Sequence, residues 1–70
     1  MQIPIGRNIK RLRLAQNMTQ RQLAYQLQVS IQAVSKWERG VSYPDISLLI
    51  PITTLFAVSL DELFGLTDKK

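Results

Sequence analysis

Apolar residues recur at intervals of three and four along most of this chain, the spacing of a helix face turned toward a core, and no comparable strand signal accompanies them. A first helix over about residues 4–16 places Ile5, Ile9 and Leu12 on one stripe, with Arg7, Lys10 and Arg11 elsewhere around it. Pro4 suits its first turn, and Asn17 its stop. The second helix begins at Thr19, where T-x-x-Q is a capping box flanked by the hydrophobic pair Met18 and Leu23, and it runs to about Leu27. Ser30 caps a third, with Val29 and Val34 as the flanking pair and Gly40 as the stop. After a turn over 41–44, Asp45 caps a fourth helix that reaches about Phe56. A second capping box, S-x-x-E from Ser59, with Val58 and Leu63 beside it, opens a short fifth helix that Gly65 ends. Five helices with short connections predict an all-α, compact five-helix bundle: one domain over 1–70, with its core at about 5–64 and a tail over 66–70.

Pro51 fits this scheme worst. It lacks the N–H that would bond the Ser47 carbonyl, a loss and clash of about 3 kcal/mol inside a regular helix. Two readings stay open: a kink at Pro51, or a fourth helix that starts late, with 46–50 as a single looser turn.

Composition narrows the chemistry. A chain of 70 residues buries only about 60% of the surface its unfolded form exposes, which leaves one small core and excludes most enzymes. It contains neither cysteine nor histidine, so disulfides, thiolate or imidazole metal sites and histidine acid–base catalysis fall away together. The expectation is a protein with no metal, no cofactor and no catalysis. The longest apolar stretch, around 48–56, is interrupted by Thr53 and Thr54 and is shorter than the roughly 20 residues of a membrane span. Arg7, Lys10, Arg11 and Arg13 stand where a signal peptide would be apolar, so the expected location is the cytoplasm.

The charges are unevenly placed. Residues 1–39 carry seven basic side chains against the single acid Glu38, whereas residues 40–70 carry two lysines against four acids. A domain with one basic half has a positive face suited to a polyanion such as DNA or RNA, although many soluble domains carry comparable asymmetry by chance.

Between Gln20 and Arg39, two helices of about eight residues are joined by roughly three, the length pattern of a helix-turn-helix. Ala24 sits where the two helices must cross closely, Val29 fills the turn, and Val34 and Trp37 share the inward stripe. At about 100° per residue, Gln32, Ser35, Lys36 and Arg39 group on the opposite side, and no acid stands among them.

Five segments resemble one family in register: I-x-x-L-R over 9–13, T-Q-x-x-L-A over 19–24, V-S-x-x-x-V-S-K-W-E-R-G over 29–40, P-D-I over 44–46 and V-S-L-D-E-L over 58–63. Together they look like the Cro and lambda-repressor-like helix-turn-helix family, also called XRE. The resemblance implies a DNA-binding domain of a bacterial or phage transcriptional regulator, with helix three in the major groove and the start of helix two on the backbone.

Carried over by that resemblance, Ile31, Gln32, Ser35 and Lys36 match base-facing positions. Their chemistry agrees: glutamine binds adenine bidentately, lysine reaches guanine O6 and N7 or a phosphate, and an aliphatic group packs on a thymine methyl. Gln20 matches a position that contacts phosphate and braces a base-reading side chain. Arg39 matches a phosphate contact, with Ser42, Tyr43, Arg7 and Lys10 as further candidates for that role. Arg13 and Glu38 match a pair that links helix one to the end of helix three, and Trp37 reads as core rather than as a base-stacking residue. Two departures stand out: Gln28, and Ala57 beside Val58, fall where the family usually has glycine, so each carries the roughly 1–2 kcal/mol cost of a left-handed non-glycine residue.

The resulting expectation is sequence-specific binding of double-stranded DNA, in a nucleoid-associated cytoplasmic protein that pairs weakly through Leu60, Leu63 and Phe64. The rival within the same fold is a protein-interaction module, an antitoxin or co-regulator, with DNA contact secondary. An RNA-binding domain is disfavoured by the lack of an aromatic platform on the basic face.

Overall fold

The computed structural model describes residues 4–66, so most of the tail expected over 66–70 lies outside the described residues. The elements are α1 (Ile5–Ala15), α2 (Gln20–Leu27), α3 (Ile31–Glu38), α4 (Ile46–Phe56) and α5 (Leu60–Phe64), with no strand among the described residues.

Local chemistry sets most of the helix ends. Thr19 accepts from the Gln22 N–H while the Gln22 side chain accepts from the Thr19 N–H, and Ser59 and Glu62 repeat the exchange at α5. Ser30 and Asp45 cap α3 and α4. All five helices finish in one way: a residue of positive φ follows the helix, and the next N–H reaches back to a carbonyl five residues earlier. The residues of positive φ are Asn17, Gln28, Gly40, Ala57 and Gly65. At Gln28 (φ 59°) and Ala57 (φ 58°) the left-handed conformation is held by a side chain that strains it. The residues after Asn17, Gln28 and Ala57, namely Met18, Val29 and Val58, then pack on the core just before the Thr or Ser that caps the next helix. One short grammar, left-handed residue, apolar residue, hydroxyl cap, therefore makes three of the four connections.

Each helix contributes one fully buried aliphatic side chain to a single core: Ile9, Leu23, Val34, Ile52 and Leu63. Trp37, Phe56, Ile5, Ala24 and Leu27 close around them. Leu63 must therefore be removed from the association surface expected with Leu60 and Phe64. On a five-residue helix only one side can face the core, and Leu63 takes it completely, while Leu60 stays exposed and Phe64 is half-buried.

α4 is unbroken from Ile46, directly after the Asp45 cap, so a late start is excluded. Pro51 lies inside it on the exposed side, where water can serve the carbonyl that the missing N–H leaves free. α1 is fixed at both ends by polar contacts. The Asn8 side-chain amide donates to the Leu63 carbonyl at 2.9 Å, and Arg13 bonds the end of α3.

Candidate nucleic-acid interface

α3 crosses beneath α2 and buries Val34 and Trp37, which leaves Gln32 and Lys36 exposed on its far side. Ser35 lies between them, half-buried, and its hydroxyl accepts from the Arg39 Nε–H at 3.2 Å. Ile31 is half-buried and packs against the core, so only part of its side chain faces outward. Among the described residues the outward face of α3 carries amide, hydroxyl, ammonium and guanidinium groups and no carboxylate.

The loop after α3 is folded back on the helix. The Gly40 N–H donates to the Trp37 carbonyl, and the Val41 and Ser42 N–H groups both reach the Lys36 carbonyl. This brings Tyr43 round to a cleft that it lines together with Arg7 and Arg39. Three of the expected phosphate contacts are thus brought to one place by α1, α3 and the loop. Ser42 is half-buried beside them, and Lys10 is exposed on α1 but lines no part of that cleft.

At the start of α2 the capping box consumes the Thr19 and Gln22 N–H groups. The N–H groups of Gln20 and Arg21 have no partner within the helix and point out of its positive end. No acidic residue stands in that first turn. The Gln20 side chain braces no base-facing residue here. Its amide instead donates to Glu38 Oε1 at 3.0 Å, because the last turn of α3 passes directly beside the first turn of α2.

Glu38 is the hub beneath this face. Arg13 holds it in a forked pair, Nε to Oε2 at 2.7 Å and Nη2 to Oε1 at 2.9 Å, while Arg13 Nη1 donates to the Met18 carbonyl at 2.7 Å. Both side chains are more than nine-tenths buried. The Glu38 hydrogen bond pushes the Arg13 guanidinium further above its ordinary range, with burial opposing. Two contributors to this framework were not singled out in the sequence: Gly6, where α1 meets the Trp37 carbonyl, and Asn8. The signals available were a glycine inside a helix, which costs about 0.5–1 kcal/mol without a packing reason, and a polar residue on the apolar stripe between Ile5 and Leu12.

A crossing helix pair, a polar outward face on its second helix and basic groups beside the end of that helix define a helix-turn-helix domain, and the family profile described as helix-turn-helix matches residues 9–63. The chain belongs to that family, in its XRE form. It is 49% identical over 57 residues to the HTH-type transcriptional activator BcrR of Enterococcus faecalis, a match over 81% of this chain and 28% of that protein. A crystal structure of a transcriptional regulator from Listeria innocua superposes with a TM-score of 0.87 at 31% identity, covering 100% of this chain and 65% of that one. The chain thus spans little more than a quarter of the curated relative, and less than two thirds of the solved one.

Proposed function

We propose that this chain reads double-stranded DNA in sequence-specific fashion as the DNA-binding domain of a transcriptional regulator, without catalysis or cofactor, in the cytoplasm and on the nucleoid. The observation that carries this reading is the outward face of α3: Gln32 and Lys36 free, Ser35 between them, no carboxylate, and the Arg7–Arg39–Tyr43 cleft at its end. With α3 in the major groove, Gln32, Ser35, Lys36 and the outward part of Ile31 meet base edges. Arg39, Arg7, Tyr43 and Ser42 then meet one stretch of backbone, Gln20 and the α2 start another, and Lys10 a flanking phosphate. Two copies on adjacent half-sites pair weakly through Leu60 and Phe64, an area too small to hold a dimer off DNA. Selection of bound duplexes from a random DNA pool tests this reading: enrichment of one motif supports it, and a pool that stays flat rejects it.

A second reading has its own observation. Ile46 and Ile50, one turn apart on α4, are 81% and 61% exposed. Apolar side chains standing that far into water fit a protein-interaction module better than a DNA reader alone. A flat pool together with retained binding to a partner protein would favour it.

A further inference from the structure

We infer that Glu38 is a positioning residue for DNA binding: through its hydrogen bond it fixes the Gln20 amide so that one N–H is presented to a backbone phosphate. This rests on the DNA-binding reading above. Three observations lead to it. The Glu38 carboxylate is nearly fully buried and takes the forked Arg13 bond on both of its oxygens, so toward its neighbours it only accepts hydrogen bonds. Its partner in the Gln20 amide group must therefore be the nitrogen, which excludes the flipped amide. With one N–H turned inward, the planar amide has its second N–H and its carbonyl left for the outside, and Gln20 is half-buried, so its remaining freedom is small.

The placement gives this geometry a purpose. Gln20 opens α2, beside two outward backbone N–H groups at the positive end of the helix. A phosphate oxygen arriving there accepts only, so a side-chain amide helps when its N–H faces out and hinders when its carbonyl does. A free glutamine would sample both. An anion beside the path of a polyanion would normally repel it, but the forked bond from Arg13 neutralises Glu38. Glu38 thus supplies an acceptor without net charge. The same bond ties the last residue of α3 to the first of α2 across 18 positions of sequence, holding the base-facing helix in register with the backbone-facing end.

The test is a double-mutant cycle, read by affinity for a short mixed-sequence duplex across a salt series. Glu38→Gln is made in the wild-type background and in Gln20→Ala. Because Glu38→Gln also removes a negative charge, its effect with Gln20 absent measures charge alone. In the presence of Gln20 it should be less favourable than that by roughly tenfold, the value of one hydrogen bond to a charged group, with the same salt slope in both backgrounds, because a neutral amide releases no counterion. The same factor in both backgrounds would overturn the inference while leaving DNA binding intact; failure of the wild-type chain to bind any duplex would overturn both. Should Glu38→Gln not fold, the unaltered protein decides. The side-chain amide of Gln20 should show an order parameter near the roughly 0.85 of rigid backbone, against below about 0.6 for exposed Gln26. Equal mobility of the two amides would overturn the inference.

Discussion

The α-carbon of Gly6 lies so close to the backbone carbonyl of Trp37 that a methyl group built on Gly6 would overlap that oxygen. The carbonyl is not free to retreat, because it accepts the Gly40 N–H that closes the end of α3. α1 and α3 therefore meet backbone to backbone, at the level of the cleft lined by Arg7, Arg39 and Tyr43.

Gly6→Ala should accordingly push the two helices apart, at or above the upper end of the about 1–3 kcal/mol usual for overpacking. Alanine otherwise favours a helix over glycine by about 1 kcal/mol, so a melting temperature that rises would show that the contact does not hold in solution.

Glu38→Ala leaves the Arg13 guanidinium buried without its anion and removes the Gln20 bond as well. Loss of one partner of a buried pair costs about 3–5 kcal/mol, most of what so small a domain possesses. Thermal melts should show the variant largely unfolded near body temperature. An unchanged transition would mean that the pair is not buried.

Ala57→Gly should stabilise the protein. Ala57 is exposed at φ 58°, and relief of its left-handed strain of about 1–2 kcal/mol exceeds the added freedom of glycine in the unfolded chain. A gain of about 0.5–1 kcal/mol would raise the melting temperature by a few degrees. A fall would mean that α4 does not end as described.

Asp45 gives a dependence on acid. The Ser47 hydroxyl, and then the Ser47 N–H, bond its carboxylate and hold it below the ordinary value of 3.8. A lowered folded value means that this carboxylate stabilises the fold above about 3.8, and that its contribution disappears as pH falls through the folded value. Asp45→Asn keeps a capping residue but does not titrate. Melts of the two proteins should differ at neutral pH and converge in strong acid; a constant offset across that window would contradict the cap.

On DNA, Gln32→Ala and Lys36→Ala should relax preference at single base pairs, each at about 1–3 kcal/mol on the selected motif and little on random duplex. Arg39→Ala should weaken every duplex alike and lower the salt slope by about 1. Equal losses on both duplexes for all three variants would mean that α3 does not read bases.

Helix limits were legible along the chain because capping is local chemistry, settled within four or five residues. T-x-x-Q at Thr19, S-x-x-E at Ser59 and the caps Ser30 and Asp45 each follow from near neighbours, whereas the left-handed Gln28 and Ala57 were implied by the family resemblance. The outward set on α3 was legible for a similar reason: one turn of helix places Gln32, Ser35 and Lys36 together whatever packs behind them. Periodicity could not choose which of Leu60, Leu63 and Phe64 turns inward, nor find the partners of Asn8 and Gln20, which lie 55 and 18 positions away. Those choices depend on the height and angle at which helices cross. These in turn are set by packing contacts such as that of Gly6 with the Trp37 carbonyl, and contacts of that kind exist only once the whole core has closed.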